Sequence, residues 1–119
     1  MITLIAKWTI GIGHEEVAMA ALRTLAHDVF ENEEGTWVYL CHAPDAGQES
    51  LPTAYPYEVI FFEVYKDKAA YEAHVDGPIF TAFLQQHSNL FVTTEGKPFV
   101  LKEFLTRHAG FVRGAGVVQ

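Results

Sequence analysis

Four runs of strand-forming residues and two amphipathic helical segments predict an α+β fold. Their order along the chain is strand, helix, strand, strand, helix, strand, which is the ferredoxin-like βαββαβ arrangement. No change of composition marks a second domain, and no apolar run approaches the roughly 20 residues of a membrane span. We therefore predict one domain over residues 1–105 with a four-stranded antiparallel sheet, followed by a C-terminal tail over 106–119.

The first strand and the first helix have clear periodicity. Residues 2–10 alternate between two faces, as a strand does. In the segment 14–30, apolar residues recur at steps of four, three and four and form one helical face: Ala18, Leu22, Leu25 and Val29. Gly35 is the predicted end of this helix region.

The rest of the chain supplies the other strands and the second helix. The remaining β-forming runs lie at 36–43, 57–65 and 99–105. Between the first two, the 14-residue stretch 43–56 contains three prolines and one glycine, which is long for a loop and predicts a disordered or functional segment. Asp67 is the predicted N-cap of the second helix, and "DGP" at 76–78 interrupts that helix.

Charge and composition exclude several classes of function. The net charge of −7 argues against binding to nucleic acid or to an anionic membrane surface. A single cysteine, Cys41, excludes an internal disulfide, and the N-terminus has no basic region typical of a signal peptide, so we expect a cytoplasmic protein. The six histidines show no metal-ligand spacing and the glycines form no nucleotide fingerprint, so we expect no metal and no cofactor.

The third predicted strand is apolar on both faces. Two helices can cover only one face of a four-stranded sheet, so either Phe61 or Phe62, with its neighbours, should remain outside. An apolar patch of this kind usually marks an interface, and the simplest partner is a second copy packed sheet against sheet. We predict a homodimer; the alternative is a monomer whose C-terminal tail covers the sheet.

Two stretches, "GTWVYLCHAPD" and "YEVIFFEVYKDKAAYEAHVDGPIF", resemble the antibiotic biosynthesis monooxygenase domain, and the resemblance extends over about residues 1–105. Gly77 stands where the family usually has serine. The resemblance implies a dimeric α/β barrel with a pocket between sheet and helices in each protomer. It also implies oxidation of phenolic, anthrone-like or quinol-like molecules by O2 without metal or flavin. The positions that match the family pattern are Gly35, Tyr39, His42, Phe62, Glu63, Tyr65, Asp67, Ala70, Ala73, His74, Pro78 and Phe80.

Three residues are the candidate catalytic groups. His74 is the predicted general base, because an imidazole accepts a proton near neutral pH; alternatively, it only bonds a backbone carbonyl or Glu63. Glu63 and Tyr65 share one strand face, so a buried Glu63 should pair with His74 or with a tyrosine hydroxyl. Tyr65 can hold a substrate oxygen or lie at the rim of the site.

Aromatic side chains are the candidate substrate-binding groups, because flat rings stack against an aromatic substrate, although core packing is the commoner reason for them. The five candidates are Trp37, Tyr39, Phe61, Phe80 and Phe83. The resulting hypothesis is a cofactor-independent monooxygenase for a small aromatic, phenolic or quinol-type substrate. The alternatives are a non-catalytic protein that binds a small hydrophobic molecule and an isomerase that works by proton transfer alone.

Overall fold

A computed structural model of the chain describes residues 1–95 and 97–114. The predicted α+β fold is confirmed, and the interruption at 76–78 divides the second helical segment into two helices joined at a short turn. A 3-10 turn, Ser88–Leu90, follows the last helix. The elements are β1 (Ile2–Thr9), α1 (Glu15–Asn32), β2 (Thr36–His42), β3 (Glu58–Tyr65), α2 (Lys68–Val75), α3 (Pro78–His87) and β4 (Phe99–Leu105).

The four strands form one antiparallel sheet in the order β2-β3-β1-β4. In the register of the sheet, Ala6 of β1 lies beside Phe61 of β3 and Lys102 of β4. Leu4 likewise lies beside Glu63, so Glu63 is in the second row of the same face. The register therefore brings a carboxylate and an ammonium group to the face that the helices cover.

The hydrophobic core lies between that face and the three helices. The predicted stripe of α1, from Ala18 to Val29, is buried, as are the inward residues of β1 and β3. Trp8 is at the centre of the core, 2% exposed, and its ring contacts several phenylalanines, of which Phe61 has a centroid distance of 4.7 Å. Each buried aromatic ring removes a large apolar area from water and so contributes strongly to the stability of this layer.

No helix of the described residues lies over the opposite face of the sheet. Phe62 of β3 lies on this face between Ile5 of β1 and Leu40 of β2. These three side chains are only partly buried in the single chain. On β4, Leu101 and Leu105 share this face and are 37% and 39% exposed, with Glu103 between them beside Ile5. The outer face is therefore the apolar surface that the two-sided third strand predicts.

The turn between α2 and α3 explains the glycine at position 77. Gly77 has an extended backbone, with φ −80° and ψ 169°, so no unusual dihedral requires glycine. A Cβ atom at this position would lie 2.2 Å from the carbonyl oxygen of Ala73, which is well inside contact distance. The family's usual serine does not fit unless the turn opens, so close packing of α2 on α3 requires glycine here.

Two segments outside the helices and strands are largely exposed. The 43–56 stretch contains turns but no helix or strand, and Leu51 in it is fully exposed. Residues 106–114 of the tail are exposed, and residues 115–119, the rest of the tail that would cover the sheet in the alternative monomer, lie outside the described residues. Among the described helices, none combines the length and the apolar character that crossing a membrane requires.

Candidate active site

His74 is placed by the geometry of α2. The helix begins after Asp67, whose carboxylate accepts a hydrogen bond from the Ala70 backbone N–H at 2.8 Å, as the sequence predicts for an N-cap. His74 lies in the last turn and faces the sheet, and it is 2% exposed. A buried imidazole needs polar partners, so its contacts decide what it can do.

The partner of His74 is Glu33, a residue that the sequence analysis does not identify. The Nδ1 atom of His74 lies 2.7 Å from Oε1 of Glu33. Glu33 follows α1 as its C-cap, and the same Oε1 also accepts a hydrogen bond from the Thr36 hydroxyl at 3.1 Å. In the sequence, Glu33 reads as one of several acidic residues at a helix end, and the 41-residue separation from His74 leaves no periodic signal.

Glu63 pairs with a tyrosine hydroxyl, which is one of its two predicted partners. The hydroxyl of Tyr65 donates to Oε1 of Glu63 at 2.5 Å, and both residues are buried. Burial raises the pKa of the Glu63 carboxyl, while the bond from Tyr65 and the charges of His74 and Lys102 oppose the rise. Burial and the adjacent carboxylate raise the pKa of Tyr65, so its hydroxyl stays protonated and donates.

A small cavity lies under His74, between the helices and the inner face of the sheet. Its volume is about 20 Å³, which is room for about one water molecule. Its lining includes the polar residues His74, Glu63 and Tyr39. The complete lining is Leu4, Ala6, Trp8, Tyr39, Glu63, Tyr71, His74, Val75, Phe80, Phe99 and Lys102. An imidazole, a carboxyl group and a phenol are therefore grouped around one small space.

Trp8 and Lys102 also line the cavity, and the sequence analysis does not assign either of them to the site. The indole Nε1 of Trp8 is buried and has no hydrogen-bond partner among the described residues. Lys102 is an exposed member of the lining, and its ammonium group lies 4.9 Å from the centroid of the Tyr71 ring. Because Lys102 is open to solvent, we assign the mouth of the cavity to this side.

The predicted aromatic residues separate into different places. Tyr39 and Phe80 line the cavity, with ring centroids 5.2 Å and 5.1 Å from that of His74. Phe61 lies in the core beside Trp8 and does not line the cavity. Trp37 is 56% exposed at an irregularity in the pairing of β2, and Phe83 lines an open groove of about 340 Å³ between α1 and α3.

Burial also sets the state of two further groups. It raises the pKa of Tyr39 well above its usual range, and the nearby charge of Glu63 acts in the same direction, so Tyr39 is a hydrogen-bond donor at neutral pH. It raises the pKa of the Cys41 thiol to about 11, so the thiolate is scarce. Within 1–95 and 97–114, no three His, Cys, Asp or Glu side chains are grouped as metal ligands.

The raised pKa of Glu63 predicts a pH dependence of stability. The folded state binds the proton of Glu63 more tightly than the unfolded state does. The contribution of this proton to the free energy of unfolding is therefore complete at low pH, and it is lost as the pH rises through the pKa of Glu63 in the folded state. We expect Glu63→Gln to remove that loss, so that the variant gains stability relative to wild type between acid and neutral pH. Urea denaturation across this range measures it, with exposed Glu34→Gln as the control. A constant difference at all pH values contradicts the prediction.

The fold and the cavity define a small α+β domain that encloses polar groups beneath a buried histidine. The sequence model of the antibiotic biosynthesis monooxygenase family matches residues 1–86 of the 119, and the chain belongs to this family. The resemblance found in the sequence is thus confirmed. Comparison with curated protein sequences gave no significant match.

Solved structures share the fold over nearly their whole length. PA3566 from Pseudomonas aeruginosa is 25% identical, with a TM-score of 0.69 over 91% of this chain and 94% of that one. Rv0793 from Mycobacterium tuberculosis is 17% identical, with a TM-score of 0.68 over 92% and 96%. A candidate antibiotic biosynthesis monooxygenase from Deinococcus radiodurans is 16% identical, with a TM-score of 0.63 over 97% and 98%. The last two support the fold alone.

Proposed function

We propose that the chain is a monooxygenase that oxidises a small aromatic, phenolic or quinol-type substrate with O2, without metal or flavin. The observation that carries this proposal is the buried His74, which lines a small cavity between the sheet and the helices. Membership of the monooxygenase family supports it. The role of His74 is that of a general base, since an imidazole is suited to proton transfer near neutral pH.

For an anthrone-type substrate, the reaction replaces two hydrogens of a ring CH2 group by one oxygen atom and releases the other oxygen as water. His74 takes one proton and leaves an electron-rich anion. The anion passes one electron to O2, and the resulting radical and superoxide combine to form a peroxide anion, to which His74 returns the proton. Loss of water from the peroxide gives the carbonyl. The electrons come from the substrate, so the protein supplies the base, the orientation and a dry site.

Tyr39 is the proposed donor to the developing negative charge on oxygen. Its raised pKa keeps the hydroxyl protonated, the residue lines the cavity, and its ring centroid lies 5.2 Å from that of His74. A fixed donor in a site without bulk water stabilises such a charge more than a donor in water does. Tyr65, the other predicted candidate, already donates to Glu63 and does not line the cavity. We therefore assign Tyr65 to holding Glu63.

The small cavity means that an aromatic substrate enters only if side chains move. The observed volume of about 20 Å³ does not hold an aromatic ring. Among the lining residues, Tyr71, Phe99 and Lys102 are partly or fully exposed, so they can move outward with less loss of packing than the buried Phe80. Substrate entry is accordingly proposed to displace these three side chains at the mouth.

The test of the function is oxygen uptake by the purified protein. We expect hydroquinones or anthrone-type compounds to be consumed with O2, and label from isotopically heavy O2 to enter an anthrone-derived product. The same mixtures without oxygen should show no turnover. Turnover that does not depend on oxygen would identify a proton-transfer isomerase instead, and saturable binding without turnover would identify a binding protein. Either result overturns the monooxygenase proposal.

We also propose that two copies of the chain pack through the outer face of the sheet. The apolar row of Ile5, Leu40 and Phe62 lies on this face, and no helix of the described residues covers it. A second copy is the favoured occupant because an identical apolar face is self-complementary about a two-fold axis. Leu101 and Leu105 of β4 extend the same surface to the edge of the sheet.

A further inference from the structure

His74 has two ring nitrogens, which point in different directions from the ring. Nδ1 is 2.7 Å from Oε1 of Glu33, while Nε2 has no hydrogen-bond partner among the described residues. A ring whose Nδ1 faces Glu33 turns its Nε2 away from that carboxylate. The same residue lines the cavity between the sheet and the helices.

We propose that Glu33 is a positioning residue for His74. Its carboxylate accepts a hydrogen bond from the Nδ1–H group of His74, and this bond directs the unprotonated Nε2 into the cavity. The inference rests on the proposed function, because it specifies which nitrogen of the base meets the substrate. A carboxylate has no proton to donate when ionised, so an imidazole beside it must donate from Nδ1 when neutral. In the neutral ring, the lone pair is then on Nε2.

The surroundings of Glu33 hold its carboxylate group in one orientation. Its side chain is 13% exposed, and the Thr36 hydroxyl donates to the oxygen that faces His74. Both residues lie where α1 passes into β2, and the backbone N–H of Glu33 also bonds the carbonyl of Val29. A carboxylate held in this way orients the imidazole ring, as carboxylates behind functional histidines commonly do.

Glu63 is the competing carboxylate, and the geometry assigns it another role. It receives the Tyr65 hydroxyl and has no direct hydrogen bond to His74. The two acidic residues thus serve two separate pairs, one with an imidazole and one with a phenol. The other titratable groups around the imidazole, which must be included in any pH analysis, are Tyr39, Glu63, Tyr65, Tyr71 and Lys102.

The first experiment needs no substrate. Nuclear magnetic resonance of the protein with isotope-labelled histidine distinguishes a protonated from an unprotonated ring nitrogen. For neutral His74 in wild type, we expect a protonated Nδ1 and an unprotonated Nε2. Glu33→Ala removes the hydrogen-bond acceptor beside Nδ1, so in this variant we expect His74 to exchange between its two neutral tautomers. A wild-type ring protonated at Nε2 overturns the inference, whatever the enzymatic activity.

The second experiment asks whether this positioning matters for the reaction. We expect Glu33→Gln to lower turnover with the hydroquinone or anthrone-type substrate by about 10- to 100-fold, mainly in kcat, and to shift the pH profile of the rate. Glu34→Gln makes the same change of charge at the neighbouring exposed position, and it should leave kcat and the pH profile of the rate unchanged. Unchanged kcat and pH profile in Glu33→Gln overturn the inference. Absence of oxygen uptake in wild type overturns the monooxygenase proposal instead, and the tautomer measurement still stands.

Discussion

Replacing His74 by alanine should lower the rate of oxygenation by about 100- to 10,000-fold, the usual contribution of general acid–base catalysis. The reason is that His74 is the buried base on the cavity wall, and Glu63, the other proton acceptor there, is already bonded to Tyr65. Oxygen uptake under substrate saturation measures the effect. Turnover at the wild-type rate in His74→Ala would remove His74 from the mechanism.

Two controls separate the chemical role of His74 from its role in packing. His74→Phe fills the space between Tyr39 and Phe80 without supplying a base, so it should be as inactive as His74→Ala. Added imidazole should restore part of the activity to His74→Ala, which leaves room for it, and none to His74→Phe. Both variants leave Glu33 without its buried partner and should lose stability, by up to about 3–5 kcal/mol, so folding is checked by thermal denaturation.

Local patterns predict the fold well because each element carries its own signal. The alternation in 2–10 and the stripe from Ala18 to Val29 depend on residues close together in the chain. The structure confirms both, with β1 ending one residue before Ile10, which forms an isolated bridge to Phe91. The cap at Asp67 is also local, and it is confirmed by its hydrogen bond to Ala70.

The candidate site is less predictable because its contacts join distant parts of the chain. The strand period correctly places Glu63 and Tyr65 on one face, and their bond follows from that placement. The Glu33–His74 pair depends on how the end of α1 meets the end of α2, and no pattern within either helix records that meeting. Lys102 enters through the pairing of β4 with β1, which brings it beside Ala6.

The aromatic residues show the same limit. Trp37 and Tyr39 look equivalent under the alternation of β2, yet Trp37 lies at an irregularity in the pairing and is exposed. Trp8 reads as one apolar residue of β1, and only the packed structure shows that its buried N–H lacks a partner. Periodicity therefore identifies the face that a residue occupies, but not whether it fills the core or lines a cavity.

Phe62→Lys should disrupt the proposed dimer and leave a monomer. Phe62 lies between Ile5 and Leu40 at the centre of the uncovered apolar face. A lysine there leaves an unpaired ammonium group between two apolar surfaces, and the two-fold symmetry repeats the penalty on the partner. We expect association to weaken by at least about 100-fold, which corresponds to roughly 3 kcal/mol. The solution mass across a dilution series measures the change.

The matched control is Phe30→Lys, which places the same charge on an exposed phenylalanine of α1, away from the sheet. It should leave the mass unchanged. A folded single chain in wild type contradicts the proposed interface, and so does a dimer of Phe62→Lys with undiminished affinity. Because β4 carries both Lys102 at the cavity mouth and the exposed Leu105, a partner that covers this strand should also hold the mouth in place. The monomeric variant should therefore bind the aromatic substrate more weakly, although His74 and Glu33 are unaltered.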